Sequence, residues 1–101
     1  MVLKNKEKII DKITLEKLKK YFDVTGKALE IIKVSVNKNK KEEAEKIIDM
    51  AQRYYYDAKF FKDKGDYVTA FGALNYAHGW IDVGSKLGIF EVNDDKLFVL
   101  K

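Results

Sequence analysis

The chain has 101 residues, 47% hydrophobic and 36% charged, with a formal net charge of +4. That length supports one modest core and a single domain, residues 1–101, and no apolar run approaches the roughly 18 residues of a membrane span. Cysteine is absent, which excludes a disulfide framework, a thiol nucleophile and a zinc–thiolate site.

The N-terminus, Met1 to Lys8, has no apolar stretch of the kind a signal peptide needs, so the expected address is cytoplasmic, with no membrane association. Residues Leu3 to Ile13 read as a short, mostly polar lead-in helix with Ile9, Ile10 and Ile13 available to dock. Thr14 then offers a capping hydroxyl to a first strong helix over about 14–37, with Ile13 and Leu18 at staple positions. Its seam is Leu15, Leu18, Phe22, Leu29, Ile32 and Val36 at three- and four-residue steps, interrupted at Thr25. Asn37 to Lys40 forms a polar link.

A second helix is expected over about 40–64. Ala44, Ile47, Ala51, Tyr54, Ala58 and Phe61 keep the helical spacing, and Ile48 and Tyr55 widen the stripe. Gly65 suits the residue after a helix end, where positive φ is needed, and Asp66 suits the N-cap of the next helix. Lys64-Gly65-Asp66 therefore reads as a tight antiparallel turn. The chain contains no proline, so nothing forces a kink.

The third helix spans about 66–87 and is closed by Gly88. Ala70, Leu74, Ala77, Ile81 and Gly84 mark its main face, while Tyr76, Trp80, Val83 and Leu87 make a second apolar stripe. Gly72 and Gly79, seven apart, suit a close backbone approach. A helix apolar on two sides needs two covers: the bundle, and either the tail or another chain. The tail, 89–101, places Ile89 to Val92 and Lys96 to Leu100 around Asn93-Asp94-Asp95 and leaves open a small β-hairpin. The expected fold is all-α: a three-helix up-and-down bundle with a lead-in helix and this tail.

The aromatic hairpin also carries a family pattern. Tyr54-Tyr55-x-Asp57-Ala58-x-x-Phe61 is followed by Lys64-Gly65-Asp66-Tyr67-x-x-Ala70-Phe71. Then comes Tyr76-Ala77-x-Gly79-Trp80-x-Asp82-x-Gly84-x-x-Leu87-Gly88-x-Phe90. This order, with Lys27-Ala28-Leu29-Glu30 upstream, resembles the archaeal domain of unknown function DUF357. The resemblance implies a small helical bundle and no known activity. A weaker likeness to HEPN-type bundles and tetratricopeptide hairpins transfers nothing. The close Arg-His pair of HEPN ribonucleases is missing, since Arg53 and His78 fall on different helices, and no second repeat exists.

His78 is the sole histidine and lies one turn before Asp82, so an Asp–His pair fits the helix. It has no neighbouring nucleophile or further metal ligands, and a structural hydrogen-bonding role at a helix seam is the simpler reading. No cofactor or metal is expected, and no glycine-rich phosphate loop occurs. Arg53 is expected to pair with Asp57 as an exposed ion pair. Tyr56 and Phe60 point away from the buried face of the second helix, beside Arg53, and exposed aromatics next to arginine are enriched at protein interfaces.

The candidate interaction surface is therefore Arg53, Tyr56, Phe60, Tyr76, Trp80, Val83 and Leu87. Thr14, Gly65, Asp66, Gly72, His78, Gly79 and Gly88 are candidate structural residues. Residues 1–46 hold 13 lysines against eight acids, a surplus of five, while residues 47–101 hold seven basic and eight acidic side chains. The first reading of function is a non-catalytic protein-interaction or oligomerisation module, its partner unidentified or a second copy of itself. The alternatives are a nucleic-acid accessory domain using the lysine-rich half, and an enzyme centred on His78 and Asp82.

Overall fold

The computed structural model describes residues 8–93 and Phe98. Three helices, α1 (Leu15–Lys33), α2 (Lys41–Asp63) and α3 (Tyr67–Lys86), pack as an all-α up-and-down bundle, with one 3-10 turn (Lys38–Lys40) leading into α2. The starts of α1 and α3 have side-chain caps. Thr14 Oγ1 accepts from the Lys17 amide at 3.1 Å, and Asp66 Oδ1 accepts from the Thr69 amide at 3.1 Å. Each satisfies an amide that the first turn leaves without a helical partner.

The ends of α2 and α3 use one device twice. After α2, the Gly65 amide bonds to the Lys62 carbonyl and the Asp66 amide to the Phe61 carbonyl, with Gly65 at φ +82°. After α3, Gly88 and Ile89 make the equivalent bonds to Ser85 and Gly84, with Gly88 at φ +72°. Both are Schellman closures, in which the left-handed residue carries no Cβ to clash.

The tightest pairing is α2 with α3. Ala44, Ala51 and Ala58 on α2, and Ala70, Ala77 and Gly84 on α3, are all buried and recur every seven residues. Small side chains at that period allow two backbones to approach closely along the whole contact. Leu74 and Ile81 fill the gaps, fully buried, each worth about 1.5–3 kcal/mol of apolar burial. α1 leans mainly on α3.

Two core clusters result. Leu18, Phe22, Ala58, Ala70 and Leu74 lie toward the Gly65 turn. The other cluster includes Leu29, Ile32, Ile47, Ile81, Phe90 and Phe98. Tyr55 packs against both, and its hydroxyl donates to the Phe22 carbonyl at 3.4 Å. Burial, reinforced by Asp23, Tyr56 and Glu30, pushes that hydroxyl above its ordinary range, which keeps it a donor.

The end of the bundle opposite the Gly65 turn is closed by a clamp. The Asn37 side-chain amide donates to the Gly88 carbonyl at 3.0 Å and its backbone amide to Ile89 at 2.9 Å. Glu91 returns a bond to the Ser35 carbonyl at 2.7 Å, and Val36 forms an antiparallel bridge with Phe90. The Phe90 ring is almost wholly buried and lies against Gly84, where any Cβ would overlap it.

Several expectations are corrected. No helix precedes Thr14 within residues 8–13, and the rest of the expected lead-in lies outside the described residues. Ile9 and Ile10 are exposed and only Ile13 packs; a short polar segment with one docked side chain cannot offset helix nucleation. α1 stops at Lys33 rather than 37. The β-branched residues of Val34-Ser35-Val36 leave the helix readily, and Val36 serves the clamp rather than the seam. Leu15 is exposed, whereas Thr25 is buried.

In the expected hairpin, Phe90 pairs with Val36; most of the second arm lies outside the described residues. The close approach expected at Gly72 and Gly79 is not made among the described residues, since none lies within 4 Å of a Cβ placed at either. Gly84 and Gly26 hold that role, against Phe90 and the Tyr55 hydroxyl.

Candidate interaction surface

At 100° per residue, the buried line Ala70, Leu74, Ala77, Ile81 and Gly84 puts Val68, Gly72, Tyr76, Gly79 and Val83 on the opposite side of α3. Val68 is 67% exposed, Tyr76 51%, Val83 51% and Leu87, at the helix end, 65%. The span Tyr67 to Ser85 contains one formally charged residue, Asp82, in a chain that is 36% charged. This face is apolar and almost uncharged, and Phe90 and Phe98, the described aromatics of the tail, turn into the core rather than onto it.

Tyr76 stands as a ridge between two grooves. Its ring meets Tyr54 edge-on at 4.4 Å and Trp80 at 6.3 Å. On the Gly72 side a groove of about 480 Å³ is lined by Tyr54, Asp57, Phe61, Thr69, Gly72 and Ala73. On the Gly79 side one of about 350 Å³ is lined by Asn75, Gly79, Trp80 and Val83. Trp80 differs from its stripe-mates in being half-buried against the core, with its Nε1 buried and no acceptor among the described residues.

The remaining candidates form a separate patch on the back of α2. Tyr56 and Phe60 are more than half exposed. Lys59 lies 5.0 Å from the Tyr55 ring centre and 5.6 Å from that of Tyr56, and Lys64 lies 5.0 Å from that of Phe60. Arg53 pairs with Asp49 at 3.0 Å and not with Asp57 as expected. Asp57 instead borders the groove toward α3. The seven candidate residues thus divide between two faces. Of the expected buried stripe, Phe61 packs against the core and also borders the groove, while Tyr54 lies at the groove's edge, because helical periodicity marks a stripe's centre better than its edges.

A third feature lies between α1 and α3. Thr25 Oγ1 is 3.0 Å from His78 Nδ1, and His78 Nε2 is 3.5 Å from Asp82 Oδ1. With the Nε2 proton toward Asp82, Nδ1 accepts from the Thr25 hydroxyl. This explains the interruption of the α1 seam: Thr25, 2% exposed, meets the α3 histidine rather than an apolar side chain. A cleft of about 240 Å³, bordered by Tyr21, Thr25, Asn75, His78, Gly79 and Asp82, opens beside the pair. The sequence paired His78 with Asp82 but gave no sign of Thr25, which is 53 residues away.

Among the described residues no three His, Cys, Asp or Glu side chains converge to hold a metal, and no helix is long and apolar enough to cross a membrane. No curated protein and no solved structure matches this chain. A family model does match, over residues 20–90, from within α1 through α2 and α3 to Phe90 in the clamp. The turn, the buried seven-residue repeat and the aromatic stripe all fall inside that span, and the chain belongs to the DUF357 family, described as proteins of unknown function.

Proposed function

We propose that this protein is a non-catalytic interaction or oligomerisation module that works in the cytoplasm and docks through the outer apolar face of α3. The observation that carries the reading is the row of four exposed apolar side chains, Val68, Tyr76, Val83 and Leu87, beside two grooves in an almost uncharged helix. Interface centres are depleted in charge and enriched in tyrosine and tryptophan. Leaving such a face in water forfeits roughly 25 cal/mol for each Å² of apolar surface. Nucleic acid is less well served, because α3 carries no lysine or arginine between Tyr67 and Ser85 to meet phosphate.

The cleft at His78 supports a second reading, catalysis by a Thr25–His78–Asp82 line. Against it, the threonine retains almost no exposed surface, which leaves a substrate little approach to its hydroxyl.

The test is affinity purification of the full chain from its native cells, beside a Tyr76→Glu variant of unchanged helicity. Every retained species is identified, a second copy included. Retention of protein by the parent and its loss from the variant is expected. Identical retention by both, or retention of nucleic acid that falls steeply with salt, overturns the reading.

A further inference from the structure

The outer face of α3 is self-complementary, and we propose that its occupant is a second copy of this chain, packed antiparallel about a two-fold axis between Tyr76 and Gly79. The inference rests on the interaction reading above and specifies its partner. Inside the bundle, small residues every seven positions bring α2 and α3 together. Gly72 and Gly79 repeat that period on the outside, where a Cβ would meet nothing. The bare backbone is a receptor without an occupant among the described residues.

An antiparallel two-fold fixes which residues meet: position numbers across the contact sum to a constant. Centring the axis between Tyr76 and Gly79 sets each Tyr76 over Gly79 of the second copy. The same register sets Val83 over Gly72 and Val68 beside Leu87. Every large apolar side chain that α3 exposes, Val68, Tyr76 and Val83, together with Leu87 at its end, then has a glycine or an apolar side chain opposite. The grooves flanking Tyr76 supply room for the ring of the other copy. Closed two-fold contacts need this property, since one patch must fit itself.

Charge fits the same choice. With Asp82 and Lys86 as its formal charges, α3 gives a strongly acidic or basic partner little to pair with, whereas a copy brings an equally balanced face. At the ends of the contact, Asp57, beside Thr69 in the groove, comes toward Lys86 of the second copy, because the register sets Thr69 against Lys86. α3 is about 30 Å long, and with the edge of α2 its footprint is about 600 Å² per copy, at the lower limit of stable interfaces. A contact of that size is expected to dissociate reversibly on dilution.

The absence of cysteine allows a test of both partner and register. Within one chain Val68 and Leu87 are about 28 Å apart along the helix, too far to join. In the proposed dimer Val68 of each copy adjoins Leu87 of the other. Under oxidation the Val68→Cys/Leu87→Cys double variant is expected to give a covalent dimer, and the Val68→Cys single variant none.

Sedimentation of the parent should show reversible dimerisation, with Tyr76→Glu weakening it by about tenfold or more. Gly79→Ala should raise the melting temperature of the dilute monomer, where the Cβ meets nothing and helix propensity improves, while weakening the dimer. That pair of opposite effects does not depend on the tyrosine variant folding. A parent monomeric at every concentration tested overturns the dimer while leaving docking of a different protein to stand on the affinity experiment. A dimer that the double variant fails to link, and that Tyr56→Glu rather than Tyr76→Glu dissociates, overturns this face and moves association to the back of α2.

Discussion

The two ends of the bundle are closed by similar backbone geometry but by different kinds of information. At one end, Lys64-Gly65-Asp66 reverses the chain between α2 and α3, and every bond involved joins residues within five positions of each other. At the other, Asn37 reaches Gly88 across 51 positions, Val36 bridges Phe90, and the Phe90 ring fills the space above Gly84. The first end is fixed by what a glycine and an aspartate do locally. The second exists only because α1, α2 and α3 have already brought two distant segments together. Local closure fixes where the chain turns, and non-local closure fixes whether the exit of α3 stays attached to the rest of the core.

The most severe way to break that comparison is at the distant end. Phe90→Ala removes the largest fully buried side chain of its cluster and is expected to cost about 3–5 kcal/mol, read by urea denaturation. A loss below about 1 kcal/mol would mean that the clamp is peripheral to the core.

Next in size is the turn. Gly65→Val forces a β-branched residue to φ +82° and is expected to cost about 1 kcal/mol or more. Because nothing lies within 4 Å of a Cβ there, any loss in thermal melts reports backbone strain and not crowding. An unchanged midpoint would show that the turn does not need the left-handed conformation.

The smallest effect sharpens the local side. Bonds from the Thr69 side chain and amide hold the Asp66 carboxyl below its usual value of 3.8. Its folded pKa is depressed, so the capping contribution is present above the unfolded value and is lost as pH falls through the folded one. Melts from about pH 5 down to about pH 2 should show the parent converging on an Asp66→Asn variant, whose cap does not titrate. A gap between the two that stays constant over that range would refute the charge dependence.

The sequence alone determined the three bundle helices, the Thr14 and Asp66 caps and the Gly65 reversal, because caps and glycine closures act within a few residues and leave their signature in adjacent letters. It also determined the buried line of α3, since a period near 3.6 is written into Ala70, Leu74, Ala77 and Ile81. Only the tertiary structure decided the partners across helices: Thr25 with His78, Phe90 with Gly84, Asn37 with Gly88. It also decided that Arg53 turns to Asp49 and that Tyr56 and Phe60 face away from the stripe of Tyr76. Periodicity gives the direction of a side chain about its own helix axis but not the rotation of that helix against its neighbours. That rotation is set by the fit of Ala44, Ala51 and Ala58 on Ala70, Ala77 and Gly84, and it assigned each glycine of α3 either to the core or to the surface.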